Sequence, residues 1–320
     1  MKNEFRYPSR DGVTEIHAIE WKPEGEVKAV LQICHGMVEY IGRYDAFASY
    51  LCERGIYVTG HDHLGHGGSV QIKEYYGYFH KENGNEYVVG DIHKLREITQ
   101  KKYPDVPYFM LGHSMGSFLL RQYLTLYGQG LSGAIIMGTG RKSPLVLDFG
   151  RLLCRMLAAC KGWNYRSTFI DNLGFGAYNR RFEPAATNKD WLSSDPETCQ
   201  KYIADPLCNF TFTVNAYYHM FGGMKVLTKK ESMKRIPRNL PVFFVAGAED
   251  PVGNFGKDVQ RVYEKYRDAG IEDVRIKLYE GDRHEILNER DRQQVYEDLY
   301  CWIAEVLKEF YEVTEEEHNE

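Results

Sequence analysis

The pentapeptide Gly112-His113-Ser114-Met115-Gly116 sets a serine between two glycines, directly after the apolar run Tyr108–Leu111 and before the apolar-periodic segment Ser117–Leu124. Strand, turn and helix in that order is the setting in which G-x-S-x-G exposes a nucleophile at the tip of a sharp turn. The glycines permit a backbone approach that a side chain would block. The same residues also suit a plain strand-to-helix connection with serine as N-cap. A serine hydroxyl is a poor nucleophile at neutral pH, so it needs a base beside it and a carboxylate to orient that base. Val242–Ala246 has a buried-strand pattern, and the loop after it, Gly247–Val252, turns at Asp250 and is stiffened by Pro251. The next strand pattern, Val274–Tyr279, is followed by Glu280–Glu285, which holds His284. Asp250 alone also reads as a turn aspartate, His284 as a capping or surface histidine, and Glu249 and Asp258 are rival acids. Serine, acid and histidine in that order, each on a loop after a strand, predict the triad Ser114, Asp250 and His284.

Acyl transfer also requires backbone N–H groups aimed at the developing oxyanion. One donor is expected to be Met115, the residue after the nucleophile. The other is expected to be Met37, in the loop His35-Gly36-Met37-Val38-Glu39 that follows the strand pattern Ala29–Cys34. His61-Asp62-His63-Leu64-Gly65-His66 offers three imidazoles and a carboxylate, which raises a metal-activated water as a rival nucleophile. That spacing is not the HExxH helix pattern, and the nearby glycines favour a rigid turn whose histidines hydrogen-bond neighbouring loops. No metal or cofactor is expected.

The elements that must position these residues alternate along the chain. Glu4–Tyr7 and Thr14–Trp21 flank a turn and read as an antiparallel hairpin. Strand patterns at Ala29–Cys34, Tyr57–Gly60, Tyr108–Leu111 and Ala134–Gly138 alternate with helical patterns at Tyr44–Arg54, Glu86–Lys101 and Ser114–Tyr127. The alternation resumes at Val242 and ends in a helix over Glu289–Phe310. This predicts an α/β fold with a mostly parallel central sheet and helices on both faces. Residues 1–140 and 241–310 form its core. Residues 141–240 break the alternation and read as a helical cap over the carboxyl ends of the strands, with helices on the side of the domain as the alternative. Within it, Pro144–Lys161 is apolar around most of its circumference, which predicts a helix burying its apolar face on the core rather than resting on a lipid surface.

Composition fits a folded domain of this size: 43% of the 320 residues are hydrophobic and 27% charged. The net charge of −5 equals the five glutamates of residues 311–320, expected as an acidic flexible tail. The body is therefore uncharged overall and gives no support for nucleic-acid binding. The first residues lack the apolar stretch of a secretory signal, and seven scattered cysteines without CxxC spacing suggest free thiols, so a cytoplasmic location is expected.

His35–Tyr44 resembles the HGxxEHxxRY segment of the monoacylglycerol lipase and lysophospholipase group of α/β-hydrolases, and Asp62–Ser69 is similar to its DxxGHGxS loop. Gly112–Gly116, Asp250-Pro251 and Gly281–His284 follow in the group's order. The resemblance implies an α/β-hydrolase core, a helical cap and carboxylic ester hydrolysis. It supports Ser114, Asp250 and His284 as triad and Met37 and Met115 as oxyanion donors, with His35, Gly36, Gly112, His113 and Gly116 as motif residues. Tyr40 departs from it, standing where the group usually has histidine. The expected activity is a serine ester hydrolase acting on monoacylglycerols, lysophospholipids or similar small apolar esters. Peptidase, amidase, thioesterase or acyltransferase chemistry would use the same triad, and a non-catalytic ligand-binding protein is the alternative outside enzymes. Expected partners are the substrate and at most a transient lipid surface.

Overall fold

A computed structural model of the chain describes the backbone of residues 1–319 and the side chains of residues 1–312. Strands β1 (Lys2–Pro8) and β2 (Glu15–Trp21) form the antiparallel hairpin. The alternating part runs β3 (Ala29–Cys34), α1 (Asp45–Cys52), β4 (Ile56–His61), α2 (Gly84–Lys102), β5 (Tyr108–His113), α3 (Met115–Tyr127) and β6 (Gly133–Met137). Five helices follow without an intervening strand: α4 (Pro144–Lys161), α5 (Thr168–Phe175), α6 (Pro196–Ala204), α7 (Val214–Val226) and α8 (Lys230–Met233). The alternation then resumes with β7 (Val242–Gly247), α9 (Lys257–Asp268), β8 (Val274–Tyr279) and α10 (Arg292–Asn319).

The eight strands form one sheet in the order β1-β2-β4-β3-β5-β6-β7-β8, parallel from β4 to β8. Every residue of β3, β4, β5, β6 and β7 is buried, which is why these strands read as unbroken apolar runs rather than alternating ones. Successive side chains serve two cores. Val30, Met110, Ile136 and Phe244 pack with α2, α3 and α9 on one face. Leu31, Phe109, Ile135 and Val245 pack with α1 and α10 on the other.

The four longer helices between β6 and β7 open on Ser143, Ser167, Asp195 and Thr213, whose side chains accept the N–H of Val146, Ile170, Glu197 and Ala216. Such a cap stabilises a helix by about 1 kcal/mol. α7 lies against α2 and α3, and α4 lies on α7. α4 packs one apolar face on the core, with Leu153, Leu157 and Ala158 half-buried beside it, but leaves the rest of its apolar surface outside. Only Leu147, Gly150 and Cys154 are buried, while Leu145, Val146, Phe149, Leu152 and Met156 are exposed. A helix that is apolar all round does not encode which side meets its neighbour, and α7 covers only one. The backbone of the segment expected as a flexible tail is helical through Asn319, as the end of α10, and Glu320 lies outside the described residues. Glutamate is a strong helix former, and extending a helix already nucleated by packing costs little. Among the described residues, no helix is long and apolar enough to cross a membrane.

Candidate active site

Ser114 occupies the single residue between β5 and α3, with φ +52° and ψ −119°. A non-glycine residue there is strained by about 1–3 kcal/mol and must be held by its surroundings. Its N–H donates to the Met137 carbonyl of β6 at 3.0 Å, and its carbonyl accepts from Ser117 N at 2.9 Å and Ser117 Oγ at 2.6 Å. A Cβ on Gly116 would lie 2.0 Å from the Cys34 carbonyl oxygen, and one on Gly112 would lie 2.4 Å from that of Gly116. Close backbone packing therefore dictates both glycines. The Ser114 side chain makes no capping hydrogen bond.

Asp250 and His284 come together from the loops after β7 and β8. His284 Nδ1 lies 2.9 Å from Asp250 Oδ2, and both residues are buried. Asp250 Oδ1 accepts the Val252 N–H at 2.8 Å, so the carboxylate is fixed at both oxygens. With Nδ1–H donated to a carboxylate, the neutral imidazole leaves Nε2 as an acceptor. The rival acids are engaged elsewhere: Glu249 pairs with Arg181 at 3.0 Å and Asp258 with Arg261 at 3.2 Å. Ser114, His284, Met37 and Met115 all line one cavity of about 400 Å³. The Trp191 ring, from the stretch before α6, lies tilted at 5.1 Å from that of His284.

The His35–Glu39 loop meets the serine closely. A Cβ on Gly36 would lie 3.1 Å from Ser114 Cβ and 2.5 Å from Glu39 Oε1. Among the described residues, the amides of Met37 and Met115 donate to no protein acceptor. Val38 takes φ +58°, a costly conformation for a β-branched side chain. Two bonds hold it: Tyr202 Oη of α6 donates to its carbonyl at 2.8 Å, and its N–H donates to His66 Nε2 at 3.3 Å. Tyr40, where the resemblance departs, donates to Asp205 Oδ2 at 2.9 Å.

The histidine-rich loop braces this turn. His66 Nδ1–H donates to the Leu64 carbonyl at 3.0 Å, which leaves Nε2 to accept from Val38 and makes the ring neutral. His35 donates from Nδ1 to the Gly36 carbonyl at 2.7 Å and accepts the His63 N–H on Nε2 at 3.0 Å. His63 Nε2–H donates to the His35 carbonyl at 3.2 Å, so its Nδ1 accepts from His61 Nε2 at 3.1 Å. Burial pushes His61 and His66 down to about 3. Among the described residues, no group of three or more potential ligands is placed to hold a metal ion.

Sequence reasoning passed over a buried network built on Glu39. Its Oε1 accepts from Gly36 N, from Tyr44 Oη at 2.9 Å and from His113 Nδ1 at 3.1 Å, and its Oε2 accepts from Arg43 at 2.9 Å. Arg43 also grips both Glu285 oxygens, at 2.8 and 2.7 Å. His113 Nε2 lies 3.2 Å from the His284 carbonyl. Both His113 nitrogens thus face acceptors, a setting that favours the charged ring. Burial opposes that charge, but the Glu39 hydrogen bond and charge outweigh it and raise His113 above its ordinary value. Burial likewise opposes the Glu39 charge, and His113 and Arg43 hold its carboxyl well below the usual range. The network ties the loops of Gly36, Ser114 and His284 together. Glu39, Arg43 and Tyr44 were visible in the His35–Tyr44 segment, but their partners lie far along the chain.

The sequence profile of the serine aminopeptidase S33 family matches residues 25–291. The chain is 29% identical over 303 residues to a monoglyceride lipase homolog of Monkeypox virus, covering 92% of this chain and 95% of the relative. It is 28% identical over 292 residues to the monoglyceride lipase of Mus musculus, covering 89% and 85%. A crystal structure of a thermostable carboxyl esterase from Bacillus coagulans in complex with glycerol superposes with a TM-score of 0.89 at 31% identity, covering 96% of this chain and 99% of that one. A parallel sheet carrying a serine turn, with the profile spanning most of the chain, identifies it: the chain belongs to the serine aminopeptidase S33 family of α/β-hydrolases, in the monoacylglycerol lipase-like group, and is a serine hydrolase.

Proposed function

We propose that this serine ester hydrolase cleaves monoacylglycerols, lysophospholipids or similar small apolar esters through an acyl-enzyme on Ser114. The observation that carries this reading is His284, held by the buried Asp250, opening with Ser114 on one cavity walled by Phe118, Phe175, Phe210, Phe221, Met220 and Met224. In this scheme His284 Nε2 takes the Ser114 proton as Oγ attacks the ester carbonyl, while Asp250 stabilises the imidazolium. The Met37 and Met115 amides, free of protein acceptors, receive the oxyanion. His284 returns the proton to the departing alcohol, and water then releases the acid by the same steps in reverse. No cofactor takes part. Residues 1–140 and 241–310 act as the core and 141–240 as a cap whose apolar walls receive the acyl chain. The exposed face of α4 supports transient rest on a lipid aggregate. Seven cysteines without a disulfide support a reducing, cytoplasmic setting.

Ser114→Ala is expected to lower kcat on monoacylglycerols and p-nitrophenyl esters by at least ~10⁴-fold, with thermal unfolding like that of the parent. Retained turnover in a folded Ser114→Ala protein overturns the mechanism. Faster cleavage of aminoacyl-arylamides than of esters by the parent overturns the substrate class.

A further inference from the structure

Beside the catalytic cavity lies a smaller one of about 130 Å³, and Phe118, Met224, Arg141 and Lys142 line both. The charged residues lining the smaller cavity are Arg121 from α3, Arg141 and Lys142 from the loop after β6, and Lys265 from α9. That is four cations and no carboxylate. Arg121 is only 4% exposed. Its Nη1 donates to Thr139 Oγ1 at 3.2 Å and to the Gly140 carbonyl at 3.0 Å, both uncharged. Its other polar neighbour is the buried hydroxyl of Tyr266, likewise uncharged. Asp258 acts on Lys142 only from a distance and is itself held by Arg261 at 3.2 Å. Burial, and then the like charges of Arg141 and Arg121, hold the Lys265 ammonium below its ordinary value.

A buried guanidinium without a counter-charge, among three more cations, is electrostatically incomplete. Arginine presents a fork that matches two oxygens of a tetrahedral anion, and lysines add point charges around it. We propose that this cavity is an anion-binding subsite that takes a phosphate-type oxyanion, either the headgroup phosphate of a monoacyl lipid or free phosphate. The shared wall sets a bound phosphate next to the chamber in which the ester is cleaved, so the subsite deepens the ester-hydrolase reading and rests on it for the lipid case.

Binding is tested apart from catalysis by titrating Ser114→Ala protein with inorganic phosphate in a calorimeter. Saturable binding is expected, weakened ~10-fold by Lys265→Gln and not by Lys230→Gln, an exposed lysine on α8. In the active enzyme, kcat/KM is compared for lauroyl lysophosphatidic acid and monolauroylglycerol. If the lipid headgroup is the ligand, Lys265→Gln lowers the ratio of the two by ~10-fold. A constant ratio with weakened phosphate binding assigns the subsite to free phosphate. No saturable phosphate binding, or binding indifferent to Lys265→Gln, overturns the subsite. Inactivity of the parent on both lipids with phosphate binding intact sinks the ester-hydrolase reading and leaves the subsite standing.

Discussion

Ser114 and Val38 both hold a positive-φ backbone that their side chains disfavour, and both border the cavity that His284 lines. Strain of this kind persists only where neighbours over-determine it. For the Gly36 loop the fixing group is the Glu39 carboxylate, which receives Gly36 N, Tyr44 and His113 on one oxygen. Glu39→Gln removes the anion that compensates His113 and half of that which compensates Arg43. We expect it to cost about 3–5 kcal/mol in urea unfolding, the usual penalty for breaking a buried ion pair. It should also lower kcat/KM on a soluble aryl ester ~10-fold by loosening the Met37 amide. A variant within about 1 kcal/mol of the parent shows that the network does not hold the site. The proposed serine, acid and histidine could be picked out because each chemical role demands a residue type on a post-strand loop, and the structure pairs Asp250 with His284. Glu39 could not be picked out, because its meaning depends on His113, 74 residues away, and on Arg43 bridging to Glu285, 242 residues from that arginine.

Strands β3 to β7 were legible to within a residue or two, since burial on both faces leaves an apolar run with clear ends. The helices between β6 and β7 were legible as helices, but not in which face each presents. α4 illustrates the limit: its apolar circumference fits burial on either side, and only its seat on α7 decides that Leu145, Phe149 and Met156 point outward. Replacing these three with serine should lower hydrolysis of a monoacylglycerol presented in phospholipid vesicles ~5- to 10-fold, with cleavage of p-nitrophenyl acetate in solution unchanged. Parallel losses on both substrates would place the effect in the cavity rather than at a lipid surface.

Across the whole molecule, the buried histidines link folding to pH in two opposite senses. His61 and His66 are neutral in the fold and pushed down to about 3, whereas a free histidine titrates near ~6.5. Their contribution is fully present above that free value and is lost as pH falls toward 3, because the unfolded chain binds the extra protons. The unfolding free energy should therefore decline below about pH 6.5, by up to ~1.4 kcal/mol per pH unit for each ring. His113 is raised instead, so its contribution is present below its free value and is lost as pH rises through its folded one. Urea unfolding across pH 4–9 checks both, and a flat profile on the acid side contradicts the neutral assignments. The amino-acid sequence by itself determined the αβ alternation, the serine turn and the order of Ser114, Asp250 and His284. These are local: a strand needs apolar residues, a tight turn needs glycine, and a nucleophile needs its own base. Only the tertiary structure decided which acid reaches His284, which charges cancel around Glu39, which face of α4 meets water, and that four cations share a cavity without an anion. Those are sums over residues distant in sequence, and electrostatic balance exists only once the chain has brought them together.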